Sequence, residues 1–253
     1  MKFLKVEDLV LDTQIKVVTL NRPEVKNAFN PEMIAEITTT FQNFNKNKEI
    51  KAVIINGEGS VFCAGADLNW MKEMAKYTYE QNIQDSQKLW NMFEAVINCE
   101  VPVIGIAHGA VYGGAIGLLA CCDSVYAETN TKFCFSEVKL GLSPAVISSF
   151  VLRKLSDAFV RPFMLSAEVF NATKASAIGL VHDTFQGSAN LAGLANLYSP
   201  NGLEAMRETK KLLNAISNNS DRSEHAALTT QVISERRISK EGQQRLQKFL
   251  SKS

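Results

Sequence analysis

The sequence predicts an α/β protein followed by a helical C-terminal region. Short apolar strands alternate with helix-period segments over the first 140 residues or so. Two of the strand-to-helix junctions are built from small residues, and from Pro144 onward the pattern is mostly helical.

FLKVEDLVLDT and QIKVVTLNRP alternate apolar and polar residues, as an antiparallel hairpin does. Pro31 opens a helix through PEMIAEITTTFQNFNKN, with Asn30 as N-cap and proline at the first helical position, where its missing N–H is not needed. KAVIING reads as a buried strand closed by the turn Gly57-Glu58-Gly59, and VFCAGAD as a loop leading into LNWMKEM and a helical stretch to about Asn98. VPVIGIAHG is a strand, GGAIGLLACC a helix, and DSVYAE and KFCFSEV two more strands. PAVISSFVLRKL, AFVRPFML, AEVFNATKASAIG and GLEAMRETKKLLNAI read as helices, and one last helix of mixed charge runs from around Arg222 to Leu250. No Gly/Ser linker or low-complexity stretch interrupts the chain.

Composition excludes several classes. The chain has 253 residues, 46% hydrophobic and 21% charged, which suits a full globular core. A formal net charge of +1, without a basic-aromatic cluster, gives no field for nucleic acid or anionic lipid. The five cysteines are odd in number and lack C-x-x-C spacing, so reduced thiols in a cytoplasmic protein are expected, with Cys121 and Cys122 filling core. His108, His182 and His225 are too scattered for a metal site, and His108 reads as a loop-packing residue. Val103 to Cys122 carries no formal charge over a span that could cross a bilayer. Its glycines and His108 break that continuity, so it reads as strand, glycine loop and buried helix rather than a membrane segment.

Cys63-Ala-Gly-Ala-Asp67 and His108-Gly-Ala-Val-Tyr-Gly-Gly-Ala115 are the two small-residue junctions. A backbone N–H at a helix N-terminus can face an oxygen that gains negative charge, and small residues let a ligand come close. Tight turns and close helix–sheet packing would explain the same residues. Neither loop carries G-x-G-x-x-G or G-x-x-x-x-G-K-[ST], so dinucleotide and P-loop sites fall away.

Five stretches then resemble the enoyl-CoA hydratase/isomerase (crotonase) superfamily: LNRPEVKNAFN, VFCAGADLNWMK, VPVIGIAHGAVYGGAIGLLACCD, FCFSEVKLGLSPA and AEVFNATKASAIGLV. They keep order and spacing over roughly three quarters of the chain. The Asn69-Trp70-Met71-Lys72 extension and SEVKLGLSPAVIS further resemble the branch of methylglutaconyl-CoA and carboxygeranoyl-CoA hydratases. The resemblance implies a crotonase-like spiral of ββα units over residues 1–195. It also implies a helical region over 196–253 that builds a homotrimer or a dimer of trimers. The implied ligand is an acyl-CoA thioester, with no cofactor beyond the coenzyme A of the substrate, no metal, no nucleic acid and no membrane. Ala66 and Gly114 take the family's two oxyanion N–H positions. The backbone around Ala64, Asp67 and Leu68 takes the adenine and pantetheine path. Val25 and Lys26 take the segment that touches the nucleotide half, and Lys252 resembles a lysine that meets CoA phosphate.

Hydratases of this family use two glutamates. One position falls on Glu137, whose apolar surroundings would raise its pKa toward neutrality. The other falls on Gly117, and the next acid along the chain is Asp123. The missing side chain is expected to leave room for an acyl group with its own carboxylate. Hydration of a branched or carboxylated enoyl-CoA is therefore the leading expectation. Δ3,Δ2-enoyl-CoA isomerisation by Glu137 alone, or CoA binding without catalysis, are the alternatives.

Overall fold

A computed structural model describes residues 1–9, 12–219 and 221–251. The chain opens with the expected hairpin, β1 (Leu4–Leu9) and β2 (Asp12–Leu20), followed by α1 (Pro31–Phe44). Asn30 caps α1 through its side chain, which accepts from Met33 N at 2.9 Å. Then come β3 (Ala52–Gly57), α2 (Leu68–Met74), α3 (Tyr79–Ile97), β4 (Val103–Ala107), β5 (Ala110–Tyr112) and α4 (Gly114–Ala120). β6 (Ser124–Glu128), β7 (Lys132–Cys134), α5 (Ala145–Lys154), α6 (Asp157–Ser166), β8 (Phe170–Asn171), α7 (Ala172–Ala177) and β9 (Asp183–Phe185) follow. Helices α8 (Leu191–Asn196), α9 (Leu203–Asn218), α10 (Arg222–Ile238) and α11 (Lys240–Leu250) end the chain.

The main sheet has the order β1-β2-β3-β4-β6-β9, antiparallel only between β1 and β2, and β5-β7-β8 form a second, smaller sheet. The central strands are apolar on both faces because both are covered. Val18, Leu20, Val53, Ile55 and Val103 pack with Met33, Ile37 and Phe41 of α1 and with Met92, Phe93 and Val96 of α3. On the opposite face Ile15, Val17, Ala52, Ile54, Ile104 and Ile106 meet Ala195 of α8. Cys121 and Cys122 are buried free thiols, as expected of core filling.

Two helix expectations are corrected. AEVFNATKASAIG is not one helix: Phe170–Asn171 pairs with β7 before Asn171 caps α7. The last helix is two, because Ser239 turns extended and its Oγ accepts from Gly242 N at 3.0 Å, capping α11. The uncharged run from Val103 to Cys122 divides into β4, β5 and α4, and among the described residues no helix is long and apolar enough to cross a membrane. Asp123 is a structural acid: it accepts from Lys210 Nζ at 2.6 Å and from Val103 N at 2.7 Å, tying α9 to the sheet.

Candidate active site

The two small-residue loops are stitched to each other. Tyr112 N donates to Cys63 O at 3.1 Å, and Cys63 N to Ala110 O at 3.2 Å. Gly65 has φ of +93°, and a Cβ there would stand 3.0 Å from Tyr112 O, so only glycine allows this approach without strain. Phe29 N donates to Gly65 O at 2.7 Å and Asp67 N to Phe29 O at 2.8 Å. That parallel bridge uses the amides on either side of Ala66 and leaves Ala66 N–H with no hydrogen bond among the described residues. Gly113, with φ of +53°, turns the chain into α4, whose first residue is Gly114. As at any helix start, the Gly114 N–H has no intrahelical acceptor, and no other described residue takes it.

Both amides belong to residues lining a cavity of about 670 Å³. Glu137 lines it too, but it begins a single 3-10 turn, Glu137–Leu140, rather than ending a strand. A Cβ on Gly113 would stand 3.2 Å from Glu137 Oε1, so the carboxyl lies beside the N-terminus of α4. Its Oε2 is buried with no hydrogen-bond partner among the described residues. Burial raises the Glu137 pKa, and a backbone hydrogen bond only partly opposes it. Two untaken donors and one poorly solvated carboxyl in the wall of one largely apolar cavity can hold an oxyanion and move a proton.

Residues 11–253 match the sequence profile described as enoyl-CoA hydratase/isomerase. The chain belongs to the enoyl-CoA hydratase/isomerase family. Crotonyl-CoA hydratase of Syntrophomonas wolfei is 32% identical over 184 residues, 71% of this chain and 70% of that protein. Enoyl-CoA hydratase AFT6-1 of Alternaria alternata is 31% identical over 65% of this chain and 53% of its own length, so the chain spans about half of that relative. The crystal structure of an enoyl-CoA hydratase from Shewanella pealeana superposes with a TM-score of 0.91 and 33% identity, covering 99% of this chain and 94% of the other. Pseudomonas aeruginosa AtuE, at TM-score 0.94 and 24% identity over 99% and 97% of the two chains, shares the fold.

Within this enoyl-CoA hydratase/isomerase fold the other expected site residues take varied places. Val25 ends a 3-10 turn, Pro23–Val25, and Lys26 follows in the left-handed region with φ of 56°. Lys26 O accepts from Ala64 N at 3.0 Å, which joins the RPEVK and CAGAD segments. Asp67 turns inward: it pairs with Arg22 Nη2 at 2.8 Å and caps α2 by accepting from Asn69 N at 2.8 Å. Burial pushes its pKa up, but Arg22 and the α2 amides outweigh this and leave it lowered. Its side chain braces the loop, while Leu68 is 74% exposed. None of these five lines the cavity. Lys252 lies outside the described residues.

Gly117 overturns the expectation built on it. It is buried and does not line the cavity; a Cβ there would meet Ile147 Cγ2 at 2.7 Å and Phe93 Cζ at 3.0 Å. The volume of the missing side chain is already filled by α5 and α3, so no pocket for a substrate carboxylate opens at this position. Gly117→Ala should lower stability by about 1–3 kcal/mol through overpacking. Urea unfolding measures this, and an unchanged midpoint would show that Ile147 moves aside freely.

One acid that the family pattern does not indicate does reach the cavity. Asp85 on α3 lines it, together with Trp70 of α2. A signal for this was present in the chain: Asp85, Leu89, Met92, Phe93 and Val96 fall on one helical stripe, otherwise apolar.

Proposed function

We propose that this chain is an enoyl-CoA hydratase acting on uncharged 2-enoyl thioesters. The observation that carries the reading is Glu137 Oε2, buried without a partner among the described residues, in a cavity that Ala66 and Gly114 also line with untaken N–H groups. As water adds at C3, the double-bond electrons move toward the thioester oxygen. The two N–H groups hold that developing charge, and Glu137 delivers a proton to C2. The raised pKa keeps Glu137 protonated nearer neutrality, as a donor requires. Coenzyme A would lie along the exposed Val25, Lys26 and Leu68 segments that follow the family pattern.

The acyl group is read from the cavity wall. Phe29, Trp70, Met71, Met74, Leu140 and Ile147 make it apolar; among the described residues Asp85 and Glu137 are its acids, and no Lys, Arg or His lines it. A carboxylated acyl chain, as in the methylglutaconyl-CoA branch, would sit near the Asp85 carboxylate with no basic side chain among the described lining residues to balance it. Isomerisation is the second reading, supported by Glu137 being the one carboxyl beside the N–H pair, since one base can carry a proton between the α and γ carbons.

A spectrophotometric panel of enoyl-CoA thioesters tests this. Crotonyl-CoA should be hydrated about 10–100-fold faster than a carboxylated analogue, the range expected for like charges a few ångströms apart. Preference for the carboxylated thioester would overturn the acyl assignment. Conversion of 3-enoyl to 2-enoyl thioesters without hydration would put the isomerase first, and binding without turnover would leave a CoA-binding protein.

A further inference from the structure

Adding water to a double bond takes two proton transfers, one off the attacking oxygen and one onto carbon. Glu137 provides for one of them. Asp85 is the other carboxylate in the cavity wall, and it is only 9% exposed. No lysine or arginine pairs with it among the described residues. The indole Nε1–H of Trp70, in the same wall, acts on the Asp85 carboxyl but closes no hydrogen bond of ordinary geometry, and Nε1 stays buried without a partner among the described residues. A nearly buried acceptor and a buried donor without a partner among the described residues thus stand in the same cavity wall as Glu137.

Local structure does not account for this acid. Thr78 already caps α3, with Gln81 completing the capping box, and Asp85 lies beyond the first turn, where the helix dipole has faded. Its neighbours Gln84, Ser86 and Gln87 are neutral and exposed. A buried carboxylate without a cation is costly. Burial raises its pKa, while Lys88 and Trp70 oppose the rise.

We infer that Asp85 is the second acid–base residue of the site and, with Trp70 Nε1, holds the water that adds to C3. The inference rests on the hydratase reading. The water oxygen accepts from Trp70 Nε1–H and donates one proton toward Asp85, two partners that orient its remaining lone pair. As that oxygen bonds to C3, its proton passes to the Asp85 carboxylate. The C2–C3 π pair moves to C2 and the thioester oxygen, held by Ala66 and Gly114. Protonated Glu137 then gives its proton to C2. One water has been added, Asp85 ends protonated and Glu137 ionised, and exchange with solvent restores both.

Asp85→Asn keeps the shape and removes the base. Hydration of crotonyl-CoA should fall about 10²–10⁴-fold in kcat with little change in KM. The low-pH limb of the kcat/KM profile should disappear with it. The charged and titratable groups acting there are Lys88 one turn along α3, Tyr77 after α2, and Glu137 in the same cavity. Exchange of the C2 hydrogen of butyryl-CoA with deuterated solvent, which needs Glu137 and the N–H pair alone, should persist. The melting temperature should hold or rise, since an unpaired buried charge has gone. Asp85→Glu should recover part of the rate. An Asp85→Asn enzyme that hydrates like the parent, or that loses exchange and hydration together, would overturn this inference alone. A parent that exchanges C2 hydrogen yet hydrates nothing would overturn the hydratase reading and this inference with it.

Discussion

Glu137→Gln should lose turnover by about 10²–10⁴-fold while still binding CoA thioesters. The amide keeps the side chain's volume beside Gly113 and the 3-10 turn Glu137–Leu140, so the cavity should not collapse. What disappears is a carboxyl that burial has moved toward neutrality. The stability consequence has a definite sign. A folded-state pKa raised above the unfolded value means that the folded chain holds this proton more tightly. The stabilisation this gives is present at acidic pH and is lost as pH rises through the folded pKa. Glu137→Gln abolishes that dependence, so the variant should melt no lower than the parent at pH 8, and its relative advantage should shrink as pH falls to 5. Steady-state kinetics with thermal melts at two pH values measure both effects. Near-parental turnover would mean that Glu137 is a bystander; a large loss of stability at pH 8 would mean that its role is structural.

Much of the fold was legible because its elements obey local rules. The hairpin shows in alternation, α1 in Asn30-Pro31, and the central strands in apolar runs that need two covered faces. Elements that depend on distant partners were not. β5, β8 and β9 are two or three residues long and exist because another strand lies alongside them. Ser239 breaks the last helix within a continuous mixed-charge pattern that hides the break. The site divides in the same way. The two glycine loops announce themselves through residues that only a close backbone approach explains, as Gly65 against Tyr112 O shows. Whether the space opposite Gly117 was open or filled could not be read from Gly117 itself. That depends on Ile147, thirty residues further along, and on Phe93, twenty-four residues earlier. Asp85 is hidden in the sequence for a related reason: its polar flanks describe a solvated helix, and only the stripe it shares with Leu89 and Phe93 turns it inward.

Gly114→Pro should cost about 10²–10³-fold in turnover, the effect of deleting one oxyanion donor. The backbone at this position accepts proline. Gly114 is the first residue of α4, where a fixed φ near −65° is already helical and where no intrahelical acceptor exists for the lost N–H. The residue before it, Gly113, sits at φ 53° and ψ −123°, far from the α region that a following proline disfavours. Space is adequate as well, since a Cβ on Gly114 would find Phe29 Cδ2 at 3.5 Å and Cε2 at 3.6 Å, ordinary contact distances. Gly114→Ala is therefore the matched control: it adds the same first carbon but keeps the N–H, and should work near the parental rate. Ala66→Pro deletes the other donor, whose N–H likewise has no partner among the described residues. Each proline variant should lower kcat more than it weakens binding of a saturated acyl-CoA, because the ground-state carbonyl needs the donors less than the charged oxygen does. If Gly114→Ala and Gly114→Pro fall together, bulk beside Phe29 is the cause; if both remain active, the thioester oxygen is held elsewhere.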